Sequence, residues 1–438
     1  MLSAARVEPS SPTSRREWRR FRKLLLGLTA SQLGGGVAAV VVPVVAVVDL
    51  RATPLQLGLV TSAEFIAYAV FGLVAGVYVD RWRRRPIMLV TDAGRAGVVL
   101  LVPLLTALGL LQIGHLFLVA LVLGVLTFFS DTASQAVVPA IVSRERLLTA
   151  NSRLQTSVSA TQLAGPALGG VLGQAAGAAL GLAAAALGFV VSLGCVLWMG
   201  SLPETHTEPR RDDGPRQGTV ASQVTGGLRY VLGDPILSGV LGTVAHFNFV
   251  ITAQSALLVV FLLDEVRAPV SLVGLLLSAS GVGAVAGALS SRWVSRRLGS
   301  GRTLVAAAAL GPALGLLTPL AHLDVRLVGF VVGTAALGAS AAVMRVVSQS
   351  YRQAVVPANL LGRVVAANRM ITWGPLPLAA LAGGLLGQLI GVRPALVALA
   401  LLLTAAPAWL LRTPVLRMRC PESFEDGRRR RPEEGSTT

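Results

Sequence analysis

A few ionisable and polar side chains lie inside long apolar stretches, where they are candidates for chemistry. Charged residues make up only 13% of the 438 residues, so these positions stand out. An ionisable group in apolar surroundings costs free energy unless it serves a pathway or finds a partner. Five such residues are candidates for a proton or substrate pathway: Glu64, Asp131, His246, Asn248 and Arg345. The alternative for each is a buried, paired structural group.

The apolar stretches that hold these residues predict membrane-spanning helices. Hydrophobic residues make up 53% of the chain, and a run of about 18 or more crosses a hydrocarbon core of roughly 30 Å. Helices satisfy their own backbone hydrogen bonds, which lipid cannot do. We therefore predict an all-α polytopic membrane protein with twelve transmembrane helices, at residues 23–48, 55–79, 86–110, 113–137, 148–174, 177–200, 235–262, 270–291, 302–321, 326–348, 361–386 and 393–411.

The distribution of the formal net charge of +17 follows the predicted membrane topology and does not indicate a nucleic-acid-binding surface. Arginines cluster in alternate connections, and positive charge is retained on the cytoplasmic side during insertion. We therefore expect a multi-pass protein of the cell membrane, with both termini cytoplasmic and no nucleic-acid partner. The arginine clusters lie at residues 6–23, 81–85, 144–146, 210–229, 292–302, 352–363 and 412–431.

The densest charge cluster is "GVYVDRWRRRP" at residues 76–86. A charge at a helix centre costs about 2.5–3.5 kcal/mol on insertion scales, so this segment is predicted to be the short cytoplasmic turn between the second and third spans. Just inside the third span, Asp92 and Arg95 are spaced i,i+3 on one helix face. They are expected to pair with each other or with the turn.

Repeated motifs indicate two related halves. "QAVVPA" occurs at 135–140 and again at 353–358, and each copy is followed by an "AN" motif and then a Gly-Pro pair. Matches in the same order predict two six-helix halves in parallel repeat, an organisation of secondary transporters. The predicted segments are a basic cytoplasmic tail (1–22), an N-terminal half (23–200), a cytoplasmic linker (201–234), a C-terminal half (235–411) and a cytoplasmic C-terminal tail (412–438).

These motifs carry a resemblance to a known family. Residues 76–86 resemble the signature G-x-x-x-D-R-x-x-R-R of the major facilitator superfamily. "DAGRA" (92–96), "GPALGG" (165–170) and "GLRYVLGDP" (227–235) resemble segments of its twelve-helix drug:proton antiporter branch, which includes macrolide-efflux and enterobactin-exporter relatives. The resemblance covers residues 20–411.

The resemblance implies a conformational latch at the cytoplasmic interface of the two halves. It would comprise Asp80, Arg81, Arg84, Arg85, Asp92 and Arg95. An acid gains about 0.3–1 kcal/mol at the N-terminus of a facing helix, which agrees with this role. The alternative is a turn that only sets topology.

The "GPALGG" motif resembles one that antiporters share. Its residues are Gly165, Pro166, Gly169 and Gly170. Pro166 is expected to kink the helix, and the glycines let a neighbouring helix approach closely. The alternative is ordinary packing of small residues.

The superfamily fold would place spans 1, 4, 7 and 10 around a central cavity, which implies cavity positions for Asp131, His246 and Arg345. Arginine cannot release its proton, so Arg345 is expected to attract an acid or an anionic substrate. The first span reads "SQLGGGV" (31–37) without the carboxylate of many relatives. Glu64 or Asp131 is therefore the candidate proton carrier.

Several chemistries have no sequence support. The only lysine is Lys23, and no P-loop motif exists, so nucleotide hydrolysis is not expected. Cys195 and Cys420 form no metal-ligand spacing. We expect no enzyme activity, cofactor or metal, and the oligomeric state stays open.

The sequence predicts a secondary efflux transporter that exports drugs or small amphipathic metabolites by alternating access, with protons as coupling ion and the lipid bilayer as surroundings. The alternatives are a dedicated exporter of siderophores or lipid-like metabolites, and a membrane scaffold or sensor that kept the fold. A transporter needs a hydrated cavity with ionisable groups, whereas a scaffold does not.

Overall fold

The structure, a computed structural model, describes residues 12–72, 84–143, 146–200 and 220–417. These residues contain helices, turns and loops but no strand. A π-helical turn, Phe261–Glu265, extends α7, and 3-10 turns lie at Thr318–Leu320 and Val415–Arg417. The α-helices are α1 Pro12–Val48, α2 Pro54–Phe71, α3 Arg84–Ala107, α4 Ile113–Ile141, α5 Leu147–Met199, α6 Val220–Gly233, α7 Pro235–Val260, α8 Val270–Leu298, α9 Ser300–Gly315, α10 Leu327–Val355, α11 Ala358–Trp373, α12 Leu376–Ile390, α13 Val392–Leu403 and α14 Pro407–Leu411.

Eleven helical segments within the described residues are long and apolar enough to cross a membrane. The predicted span 148–174 is helical but is not one of the eleven, because its first half carries many Ser, Thr and Gln side chains. It forms the first arm of α5. One span combines α11 with α12, and another combines α13 with α14.

Local sequence signals explain where two of these helices begin. Thr53 caps α2: its hydroxyl accepts a hydrogen bond from the Gln56 amide, and the Gln56 side chain accepts one from the Thr53 amide. Asp234 caps α7, and its carboxylate accepts hydrogen bonds from two backbone amides at 2.8 and 3.0 Å. Both helices have proline at a first-turn position, where the missing N–H costs least. These caps satisfy amides that have no partner inside the helix.

Three features differ from the predicted layout. The first helix begins at Pro12, inside the segment predicted as a tail, and α6 lies inside the predicted linker. Spans five and six are joined within α5 by a bend at Gly177, where φ is 75° and only glycine is unstrained. Backbone dihedrals around Pro166 remain helical, and the kink that the sequence predicts there stays a prediction.

The helices form two groups that meet along two seams. In the first half α5 packs along α1 and α3, and in the second half α8 packs along α10. The halves meet where α5 contacts α8 and where α2 contacts α12. Glycines allow this approach: a Cβ on Gly274 would lie 2.3 Å from the Pro166 carbonyl oxygen, and one on Gly58 would lie 2.8 Å from Gly384 Cα. Close backbone contact at small residues is a usual way for helices to associate in lipid.

Candidate transport cavity

A cavity of about 820 Å³ lies between the two halves. Its first-half wall comes mainly from α1, α4 and α5, and its second-half wall from α7, α8 and α10. Of the 32 lining residues, 15 have polar or ionisable side chains, chiefly Ser, Thr and Gln, and the other 17 are apolar residues or glycines. Three lining residues are ionisable: Arg95, Asp131 and Arg345. Four helices predicted to surround the cavity (spans 1, 4, 7 and 10) contribute to its wall.

Arg95 belongs to a buried ion pair on the first-half wall. Its guanidinium donates to the Asp92 carboxylate and, at 2.9 Å, to Ser130 Oγ. Ser192 Oγ donates to the other Asp92 oxygen at 2.7 Å, and the guanidinium carbon lies 4.8 Å from the centre of the Phe189 ring. Asp92 is 1% exposed and Arg95 5% exposed. The i,i+3 pair predicted from the sequence is present, and its charges are satisfied inside the first half.

Asp131 lies where the first half meets α11 of the second half. Tyr68 donates its hydroxyl to Asp131 Oδ2 at 3.3 Å. Arg369, on α11, interacts electrostatically with Asp131, and its guanidinium lies 5.6 Å from the centre of the Phe128 ring. The Tyr68 ring also contacts Trp373 of the second half, with 4.9 Å between ring centres. The carboxyl group is therefore hydrogen-bonded within the first half and is influenced electrostatically by Arg95 and, less strongly, by Arg369 of the second half.

The second-half wall contains one continuous face of α10. Residues three or four positions apart on a helix share a face. Arg345 is exposed to the cavity and makes no hydrogen bond or ion pair with any described residue. The Thr334 hydroxyl is buried without a hydrogen-bond partner in the same described part of the chain. The lining residues of this face are Thr334, Leu337, Gly338, Ala341 and Arg345.

Three of the five candidate pathway residues do not line the cavity. Glu64 is half-buried in α2, where its backbone lies against Gly124 of α4; a Cβ on that glycine would lie 2.3 Å from the Glu64 carbonyl oxygen. His246 faces α13, and its Nε2 lies 2.9 Å from the Leu402 carbonyl oxygen. Asn248 lies 3.5 Å from the Thr372 carbonyl oxygen. The sequence placed these residues by depth along the helix, which does not specify the face.

The predicted latch residues that the structure describes form hydrogen bonds and an ion pair within the first half. Arg84 donates to the Ala136 carbonyl at 2.9 Å, and Arg85 donates to the last carbonyls of α5 at 3.4 and 3.2 Å. A cation at a helix C-terminus is favourable because the exposed carbonyls carry partial negative charge. Asp80 and Arg81 lie outside the described residues.

The predicted antiporter-like motif lies where α5 contacts both α1 and α8. A Cβ on Gly165 would lie 2.8 Å from Gly36 Cα, and one on Gly169 would lie 3.0 Å from the carbonyl oxygen of the next residue of α1, Val37. A Cβ on Gly170 would lie 2.7 Å from Gly274 Cα, on α8. Pro166 lines the cavity itself. The motif therefore joins the seam between the halves to the cavity wall.

The sequence reasoning missed several residues that shape the site. Tyr68 and Trp373 are aromatic residues in apolar spans and carry no signal of their own. Thr334 and Ser130 are ordinary small polar residues. Arg369 had the clearest sequence signal of these residues, because it belongs to the repeated "AN" motif and is an arginine within a predicted span.

Solved structures with the same architecture identify the fold. A variant of the nucleoside transporter NupG aligns with a TM-score of 0.74 and 13% identity, over 90% of this chain and 99% of the other. A bacterial homologue of the iron transporter ferroportin, in its inward-facing state, aligns with a TM-score of 0.70 and 18% identity over 90% and 98% of the two chains. At these identities the likeness concerns the fold, which is the all-α major facilitator fold.

Sequence comparison then identifies the family. Residues 10–430 match the family described as transmembrane secretion effector, and the chain belongs to it. The enterobactin exporter EntS of Citrobacter koseri is 28% identical over 418 residues, covering 93% of this chain and 95% of the relative. EntS of Shigella flexneri is 30% identical over 354 residues, covering 78% and 79%. The chain is a multi-pass membrane transporter rather than an enzyme.

Proposed function

We propose that the protein exports drugs or small amphipathic metabolites by alternating access. The observation that carries this proposal is the cavity of about 820 Å³ between the halves, within the size range of small-molecule sites. Its wall combines apolar side chains with many hydroxyl and amide groups, which suits an amphipathic molecule. A scaffold or sensor that had lost transport has no need of an open cavity with ionisable side chains.

The seams support a rocking movement of the two halves. Transporters of this type alternate by moving one half against the other around a fixed central site. Where α5 meets α8 and where α2 meets α12, glycines let the two backbones touch directly. Direct backbone contact at small residues is compatible with a movement of one half against the other. We further propose that the halves span residues 23–200 and 235–411 and that both termini lie in the cytoplasm.

We propose that Asp131 carries the coupling proton. Asp131 lines the cavity and accepts a hydrogen bond from Tyr68 within the first half. Arg369 attracts it electrostatically from the second half. Protonation of the carboxylate removes this attraction, so the charge of Asp131 is linked to the approach of α11. Glu64 is the alternative carrier and does not line the cavity.

A dedicated siderophore exporter is the second candidate. The support is that relatives at 28–30% identity are named enterobactin exporters. Both candidates use the same cavity and the same movement, so they differ only in the range of substrates.

Flux measurements in proteoliposomes test these proposals. We would impose a pH gradient and follow a panel of drugs and enterobactin with the wild-type protein, Asp131→Asn and Glu64→Gln. We expect Asp131→Asn to lose gradient-driven flux while substrate exchange is retained, and Glu64→Gln to keep both. The control is Asp324→Asn, because Asp324 is exposed and outside the cavity wall.

The outcomes separate the proposals. Flux of several unrelated drugs supports a multidrug exporter, and flux of enterobactin alone supports the siderophore candidate. Unchanged gradient-driven flux in both carboxyl variants contradicts proton coupling through these residues. No flux of any compound by correctly folded wild-type protein contradicts export.

A further inference from the structure

We infer that the cavity binds an elongated amphipathic anion. Its negatively charged group binds Arg345, and its opposite end carries a hydrogen-bonding group that reaches Thr334. The inference deepens the proposed export function and rests on it, because it names the class of substrate.

The first argument is the charge balance of the cavity wall. The Arg95 guanidinium is paired with the adjacent Asp92 carboxylate, and Asp131 interacts electrostatically with Arg95 and, less strongly, with Arg369. The remaining ionisable group of the lining is Arg345, for which no acidic partner exists among the described residues. The wall therefore has one positive charge that is not balanced. A cleft whose lining carries an excess of one sign of charge concentrates ligands of the opposite sign.

The second argument is the Thr334 hydroxyl, which is independent of charge. Thr334 is 7% exposed, and its Oγ1 has no hydrogen-bond partner among the described residues. Buried hydroxyl groups are normally hydrogen-bonded, and an unmade bond costs free energy. Thr334 lines the cavity while its Oγ1 is enclosed, so a rotation about χ1 that turns the hydroxyl toward the cavity would let a bound molecule supply the partner.

The geometry of α10 sets the distance between these two groups. Thr334 and Arg345 are eleven positions apart, close to three turns, so they share a face. At a rise of 1.5 Å per residue they lie roughly 16 Å apart along the helix. The lining residues between them, Leu337, Gly338 and Ala341, carry no polar side-chain group. This stripe fits a molecule with an apolar middle and polar groups at both ends.

Binding of matched probes tests the inference. Three tritiated amphiphiles would share one naphthyl–alkyl skeleton with a terminal hydroxyl group, and would carry a sulfonate, a trimethylammonium or a neutral glycol at the other end. Affinities would be measured by scintillation proximity with the full-length protein in phosphatidylcholine nanodiscs. We expect the sulfonate to bind about tenfold or more tightly than the other two.

Variants then assign the effect to residues. Arg345→Gln is expected to remove the preference for sulfonate, and Arg345→Lys to retain part of it. Thr334→Val is expected to lower the affinity for the hydroxyl-terminated sulfonate and to leave the affinity for a methyl-terminated sulfonate unchanged. Arg326→Gln is the matched control, because Arg326 precedes α10, is 62% exposed and does not line the cavity. Monodisperse size-exclusion profiles confirm that each variant is folded.

Equal wild-type affinity for the sulfonate and the trimethylammonium probe overturns the inference without any variant. Full preference for sulfonate in folded Arg345→Gln also overturns it. Export of all three probes without discrimination leaves the proposed export function standing and removes the inference. Anion-selective binding without transport supports the inference and contradicts the proposed export function.

The bound anion has two possible sources, a soluble metabolite or a lipid headgroup. Nanodiscs that also contain phosphatidylglycerol separate them. Competition by this lipid with the sulfonate probe supports the anion site and assigns it to a lipid. Unchanged probe affinity supports the site and assigns it to a soluble anion.

Discussion

The two walls of the cavity differ in how their charged groups are satisfied. On the first-half wall, Arg95 is paired with Asp92 and bonded to Ser130, and both members of the pair are buried. On the second-half wall, Arg345 is exposed to the cavity and has no partner in the described residues. The first arrangement stabilises the fold, whereas the second leaves a charge available to a ligand.

The difference has a physical origin. A buried charge is tolerated only when it is paired and hydrogen-bonded, and removing one partner of a buried pair is strongly destabilising. An arginine that faces an open cavity keeps water around its guanidinium, so it needs no protein partner. The same residue type therefore has a structural role on one wall and a proposed binding role on the other.

The largest effect is expected from breaking the buried pair. Asp92→Asn leaves the Arg95 charge buried and uncompensated, so we expect a loss of about 3–5 kcal/mol in the free energy of unfolding. Unfolding of the purified protein in mixed micelles measures the change. The control is Asp324→Asn, which removes an exposed ion pair with Arg326 and is expected to cost about 1 kcal/mol or less. Similar losses in both variants remove the distinction between structural and available charges.

The next effect concerns the seam that holds the two walls together. In Gly274→Ala, the new Cβ would lie 2.3 Å from the Pro166 carbonyl oxygen, so the backbones of α5 and α8 must separate. We expect a cost of about 1–3 kcal/mol and a lower rate of transport in proteoliposomes. The control is Gly97→Ala, because a Cβ there meets nothing within 4 Å. Normal transport by Gly274→Ala shows that this contact is not part of the movement.

A smaller effect is expected at the contact between Asp131 and Tyr68. Tyr68→Phe removes one hydrogen bond to the carboxylate and leaves the ring contact with Trp373 in place. A bond to a charged group contributes about 1.5–3 kcal/mol at most, and at 3.3 Å we expect the lower end. Gradient-driven flux should fall several-fold while thermal stability changes little. The control is Tyr230→Phe on α6, which lies outside the cavity wall; an equal loss of flux there argues against a specific role for Tyr68.

The smallest effect is expected for the proposed latch. Asp80→Asn should reduce transport by a few-fold, because an acid near a helix N-terminus contributes about 0.3–1 kcal/mol. Insertion and expression should stay normal, since arginines rather than acids dominate topology. The control is Asp49→Asn, because Asp49 is an exposed acid that directly follows α1. If folded Asp80→Asn protein transports at the wild-type rate, this segment only sets the membrane topology.

The sequence by itself determined the elements and the class of protein. Apolar stretches of sufficient length have to be helices in lipid, because no other local structure satisfies the backbone there. Local signals such as Thr53 before Pro54 and Asp234 before Pro235 mark helix starts, since caps act over three residues. The i,i+3 spacing of Asp92 and Arg95 predicted that they pair with each other or with the preceding turn, and the structure shows the first. The order of the motifs was enough to indicate the family.

Only the tertiary structure decided which polar residues share the cavity. Counting residues gives the depth of Asp131 and His246, but the face of a membrane helix depends on its neighbours, because lipid-facing and protein-facing sides are both apolar. The approach of Arg369 to Asp131 joins residues of different halves, and no local rule specifies it. The bend at Gly177 was equally hidden, because glycine permits a positive φ without requiring it. Contacts between distant helices, rather than properties of any single helix, made these choices.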